Sequence, residues 1–185
     1  MSRFLLLFTL LVPLAFPATV VRVDLYCVVP PVSVSILGHA LDLAAARNAS
    51  LVILRLDTPG GLMEASREMG ERMMASPVPV VTYVAPGGAR AASAGFFLLL
   101  ASDVAAMAPA TRTGAASPVL LGQEIDPVMR RKIESDAGAW LRTLAEQRGR
   151  NAQLAEKAVS EAKSFTEKEA LDAGRACAVD HALLE

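Results

Sequence analysis

Apolar and polar positions along the chain change period several times, and each change predicts an element. Val20 to Val29 is dense in β-branched and apolar residues and reads as a first strand, closed by Pro30-Pro31. From Val34 to Arg47 the apolar positions Ile36, Ala40, Leu41, Leu43 and Ala44 recur at helical spacing, with Asn48 as a stop. Leu51 to Leu56 is an apolar run of strand length that ends in the turn Asp57-Thr58-Pro59-Gly60-Gly61. Leu62 to Ala75 then returns to helical spacing through Leu62, Ala65, Met69 and Met73.

The same alternation continues downstream. Val78 to Ala85 predicts a strand, Pro86-Gly87-Gly88 a turn, Ala89 to Leu100 a buried helix and Val104 to Ala108 a short strand. Residues 110–126 read as an irregular loop of a length that often carries function. A long helix follows from Pro127 to Arg148, then a short one from Ala152 to Ala162. Thr166-Glu167-Lys168-Glu169 has the form of a capping box, its helix runs to Gly174, and Arg175 to Asp180 predicts a last strand. Strand-turn-helix repeats of this kind predict an α/β domain with a largely parallel, buried sheet. Such sheets place reacting groups at strand-to-helix turns, here Pro59-Gly60-Gly61 and Pro86 to Gly95.

The N-terminus departs from this pattern. Arg3 precedes an apolar run from Phe4 to Phe16 and then Pro17-Ala18-Thr19, which divides the chain into a signal peptide or uncleaved anchor over residues 1–18 and a domain over 19–185. The domain is therefore expected outside the cytoplasm. A formal charge of −1 and 5% aromatic residues leave neither a basic footprint nor stacking platforms, so nucleic acid is set aside as a partner. His39 and His181 stand far apart and no metal-ligand spacing exists, so no metal or cofactor is expected. Cys27 and Cys177 are read as two buried thiols, with a disulfide as the alternative.

Candidate chemistry lies at the two glycine-containing turns. Adjacent glycines at a helix start bring the backbone close to a bound group and free N–H donors for a phosphate or an oxyanion, or form a tight turn and nothing more. Ser93, within Ala91-Ala92-Ser93-Ala94-Gly95, is either a helix cap or a nucleophile at a strand-to-helix turn. A serine nucleophile needs a base, and only the terminal His181 follows it, which turns attention to lysine. Lys132 borders the helical stripe of Ile133, Ala137, Trp140, Leu141 and Leu144 and lies next to Arg130 and Arg131. Such a lysine is an ordinary solvated side chain or, half-sheltered by apolar surface, a base.

The blocks Leu56-Asp57-Thr58-Pro59-Gly60-Gly61, Ala91-Ala92-Ser93-Ala94-Gly95, Ala108-Pro109 and Lys132 through Arg148-Gly149-Arg150-Asn151 together resemble the NfeD-type membrane-bound serine proteases. These form a ClpP-class branch related to signal-peptide peptidase A. The resemblance implies a ClpP/crotonase-like fold and a Ser–Lys dyad of Ser93 and Lys132, with Gly60, Gly61 and Ala94 matching the oxyanion hole. It implies cleavage of hydrophobic segments of membrane-associated proteins, with Leu62, Met63 and Phe96 lining the cleft. A homo-oligomer and a stomatin-like or NfeD-type membrane partner are implied as well. The region Val28 to Ser33 lacks the Gly-x-Ile pattern usual in the family, and the resemblance is to the protease domain alone. The rival readings are a crotonase-like acyl-thioester enzyme and a non-catalytic scaffold of the same fold.

Overall fold

The computed structural model describes residues 18–119 and 126–174 and the backbone of residues 177–178. The expected leader over residues 1–18 lies, but for Ala18, outside them. Eight strands and six helices follow in chain order: β1 (Val20–Leu25), α1 (Val32–Ala46), β2 (Leu51–Leu56), α2 (Met63–Met74), β3 (Val80–Val84), β4 (Arg90–Ala92), α3 (Ala94–Ala101), β5 (Val104–Met107), β6 (Arg112–Gly114), α4 (Pro127–Gln147), α5 (Ala152–Ser160), β7 (Ser164–Thr166), α6 (Glu167–Asp172) and β8 (Cys177–Ala178). β1, β2, β3, β5 and β8 form a wholly parallel sheet in that order. A second small sheet, β4-β6-β7, pairs β4 with β6 in parallel and β6 with β7 antiparallel.

The main core lies on one face of the larger sheet. Val52, Leu54 and Leu56 of β2 and Val80 and Val84 of β3 are buried there against Leu37 and Leu41 of α1, Met69 and Met73 of α2, and Phe97 and Leu98 of α3. The opposite face carries a smaller cluster, with Ile53 packed against Tyr83 and Ala106. α3 reads Ala-Gly-Phe-Phe-Leu-Leu-Leu-Ala and is buried on all sides, as a helix apolar round its whole circumference must be. Phe97 stacks on Trp140 of α4 with ring centroids 4.5 Å apart. No helix among the described residues is long and apolar enough to cross a membrane.

Four expectations change. β1 stops at Leu25, whose carbonyl accepts the last ladder hydrogen bond from the Asp57 N–H; the chain then leaves the sheet and Val29 bridges to Gly61. The stretch Ala89 to Leu100 is a strand and then a helix, not one helix, because Arg90–Ala92 pairs with β6. Residues 110–126 are not wholly irregular, since Arg112–Gly114 forms the middle strand of the small sheet. Cys27 is exposed and so is not a buried thiol, while the Cys177 side chain lies outside the described residues.

Candidate active site

Ser93 is the single residue between β4 and α3, and its backbone is unusual. Its φ of 50° and ψ of −115° lie where a non-glycine residue is strained, a cost of about 1–3 kcal/mol that surrounding structure must offset. Its hydroxyl makes no capping hydrogen bond to α3, so the capping role is not the one it serves. The Ser93 N–H donates to the Gly114 carbonyl at 2.9 Å, and the Ser93 carbonyl accepts from the Phe96 N–H at 2.9 Å. A sharp strand-to-helix turn with a half-buried serine at its apex is the geometry that presents a hydroxyl for attack.

The elbow is held by the small sheet and by the end of β2. Ala92 pairs with Gly114, and the Thr113 hydroxyl donates to the Ala91 carbonyl at 2.7 Å. Gly114 has φ +106°, and a Cβ there would lie 2.4 Å from the Lys163 carbonyl oxygen, so only glycine lets β6 sit this close to β7. From the other side the Arg90 N–H donates to Asp57 Oδ1 at 3.1 Å.

The glycine pair after β2 faces this elbow. A Cβ on Gly60 would stand 2.8 Å from Ser93 Cβ, so the missing side chain is what admits the serine. The Gly60 amide, expected among the oxyanion donors, instead donates to Thr58 Oγ1 at 3.1 Å, and its carbonyl accepts from the Val29 N–H at 2.8 Å. Gly61 is exposed, and its N–H has no partner among the described residues, because the Val29 bridge uses the Gly60 carbonyl and the Leu62 N–H. The Ala94 N–H is the first amide of α3, which helix geometry leaves without an intrahelical partner. Two free N–H groups therefore flank Ser93, a pattern suited to an oxyanion.

Lys132 lies in the second turn of α4. α3 and α4 run in the same direction: Phe97 meets Trp140, and further on the Ala101 carbonyl accepts from Arg148 Nε at 2.9 Å. Lys132 is exposed rather than half-sheltered, and lines an open groove with Val128, Arg131, Ser135, Asp136 and Ala139. No hydrogen bond joins it to Ser93 in this structure. Asp136, one turn on, is held by Arg67 at 2.8 Å, so among the described residues Lys132 has no acidic partner.

Of the expected cleft residues, Leu62 is 54% exposed and Met63 half-buried, whereas Phe96 is fully buried. Phe96 faces Phe165 of β7 at 6.3 Å and belongs to the core, because α3 is enclosed on every side. Two residues of the site escaped the sequence reading. Thr58 was legible only as part of a turn, and Gly114 lay in a stretch without periodicity. No group of His, Cys, Asp and Glu among the described residues is arranged to hold a metal.

Comparison with known proteins bears on the family and the fold. Residues 26–179 match the family described as NfeD1b, N-terminal domain. The membrane-bound protease PH1510 of Pyrococcus horikoshii is 39% identical over 136 residues, covering 72% of this chain and 31% of that protein. The membrane protein NfeD1b of Bacillus subtilis is 38% identical over 85 residues, covering 46% of this chain and 19% of that protein. The chain thus spans a third or less of the curated relatives it matches. Among solved structures, a serine-to-alanine mutant of the 1510-N membrane-bound stomatin-specific protease superposes with a TM-score of 0.81 at 33% identity, over 89% of this chain and 81% of that one. A lysine-to-alanine mutant of the same protease, in complex with a substrate peptide, gives 0.80 at 32% identity, over 88% and 75%. The fold is that of the ClpP-like protease domains, α/β with a largely parallel sheet, and the chain belongs to the NfeD1b N-terminal domain family.

Proposed function

We propose that this chain is the protease domain of a membrane-associated serine endopeptidase. The observation that carries the reading is the backbone of Ser93, a strained non-glycine residue at a strand-to-helix elbow between two free N–H groups. Ser93 Oγ attacks a peptide carbonyl as Lys132, acting as the base, takes its proton. The carbonyl oxygen, now negative, is received by the N–H groups of Gly61 and Ala94, each contributing roughly 3 kcal/mol in sites of this kind. The tetrahedral intermediate collapses, Lys132 returns the proton to the leaving amine, and water repeats the attack on the acyl-enzyme. Catalytic hydrogen bonds are often long until substrate is bound, so the reading requires Lys132 and Ser93 to approach as the cleft fills.

The relatives named as proteases, one of them stomatin-specific, support a stomatin-like protein as the first substrate to test, and the reading takes a hydrophobic segment of it as the point of cleavage. Exposed Leu62 and half-buried Met63 offer apolar surface beside Gly61. The same relatives support a membrane-bound setting, the Arg3-to-Phe16 segment favours export, and the exposed apolar side chains support a homo-oligomer. An acyl-thioester enzyme has no use for a strained serine, which favours the peptidase reading.

The test is labelling by a fluorophosphonate together with hydrolysis of an internally quenched apolar peptide. Wild type is expected to label and to cleave, Ser93→Ala to do neither, and Lys132→Ala to lose cleavage by at least about a hundredfold. An unchanged Ser93→Ala variant sinks the reading.

A further inference from the structure

Thr58 joins the two halves of the site from within. Its side chain is fully buried, and its hydroxyl closes on one residue from both sides, donating to the Gly60 carbonyl at 3.0 Å and accepting from the Gly60 N–H at 3.1 Å. Its main chain is tied to the elbow: the Thr58 N–H donates to the Arg90 carbonyl at 2.7 Å, and the Thr58 carbonyl accepts from the Ala92 N–H at 3.1 Å. Its methyl group fills the space above Gly95, where a Cβ would come within 2.6 Å of it. One residue thus touches the turn that carries Gly61 and the elbow that carries Ser93 and Ala94.

We infer that Thr58 is a positioning residue, which fixes the Gly61 N–H relative to the Ala94 N–H so that both aim at one oxyanion. The inference rests on the peptidase reading above. The hydroxyl occupies the Gly60 N–H, so the amide left facing the site is the next one. Without it the Gly60 N–H is orphaned, and a two-glycine turn has little steric restraint against swinging that amide outward in place of Gly61. An oxyanion exists only after attack, so the loss falls on the transition state and leaves ground-state binding of the peptide untouched.

The variants Thr58→Val and Thr58→Ser separate the hydroxyl from the methyl. In Thr58→Val we expect kcat on the quenched apolar peptide to fall roughly tenfold to a hundredfold, with KM unchanged, as expected for misplaced catalytic groups. Thr58→Ser keeps the hydroxyl and is expected to retain most of kcat. Hydrogen exchange at the Gly60 amide, measured well below Tm, is expected to quicken in Thr58→Val and not in Thr58→Ser. This readout needs no activity. Wild-type kcat in a folded Thr58→Val protein, or unchanged Gly60 exchange, overturns the inference. If Thr58→Val fails to fold, loss of kcat in folded Thr58→Ser despite slow Gly60 exchange overturns it equally. Wild type without Ser93-dependent cleavage overturns the peptidase reading itself, and Gly60 exchange still decides whether Thr58 holds the turn.

Discussion

At the scale of single residues, the site trades stability for geometry. Ser93 sits at φ 50° with ordinary side-chain bulk. Replacing it by glycine removes the steric cost, partly offset by glycine's larger chain entropy in the unfolded state, so Ser93→Gly is expected to be more stable than Ser93→Ala by about 1 kcal/mol. Both variants are expected to be inactive, and paired denaturation curves measure the difference. Gly60 runs the opposite way. Its φ of +129° and the 2.8 Å approach a Cβ would make to Ser93 mean that Gly60→Ala strains the turn and displaces the serine together. Its expected signature is lowered Tm and loss of fluorophosphonate labelling, and an alanine variant that labels at the wild-type rate contradicts the close packing.

At the scale of elements, the proposed role of Lys132 depends on where α4 starts. Asp126 caps it, accepting from the Val128 and Met129 N–H groups at 3.0 and 3.1 Å, and Pro127 takes the first helical position. Asp126→Ala is expected to cost about 1 kcal/mol and to fray the turns that carry Lys132, lowering cleavage more than a distant cap does. The comparison cap is Thr166 on α6, where Glu169 completes a capping box. Hydrogen bonds from the Thr166 N–H and hydroxyl hold the Glu169 carboxyl below the usual glutamate range. A folded-state value below the unfolded one stabilises at pH above the unfolded value and is lost as pH falls through the folded one. Acidification below the ordinary glutamate range is therefore expected to erase the difference in Tm between wild type and Glu169→Gln. These helices, and β2, were legible in the sequence because a run such as Leu51–Leu56 or a stripe such as Ala137, Leu141 and Leu144 has a period set by its own backbone. β4, β6 and β7 were not, since three-residue strands such as Arg90–Ala92 are defined by partners far along the chain. The same reason hid Thr58 and Gly114, whose roles are distances to other segments. Ser93 and Lys132 were legible only through resemblance, because their own residue chemistry was equally consistent with a cap and a solvated helix lysine.

At the scale of the whole molecule, the far ends of α3 and α4 are locked by arginines. Arg150 Nη1 donates to the Leu100 and Ser102 carbonyls at 2.8 and 2.9 Å, and Arg148 donates to the Ala101 carbonyl and pairs with Asp103. Arg150→Ala strips charge-assisted hydrogen bonds from carbonyls near the end of a buried helix, an expected loss of about 2 kcal/mol seen as a lower denaturant midpoint at unchanged slope. Because the same contact fixes how α4 lies along α3, cleavage is expected to fall as well. The larger sheet has no local hairpin, and the elbow is likewise assembled from distant segments, with β4 leaning on β6 and β6 on β7 at Ser164–Thr166. For a chain emerging from a ribosome, this order has a consequence. Ser93 is synthesised near the midpoint and the Gly114 that accepts its N–H follows some twenty residues later, yet β7, which backs that strand, arrives some seventy residues later. Until β7 is in place the elbow lacks its full support, so on the peptidase reading the nascent chain is expected to carry its nucleophile through much of translation before the active site is complete.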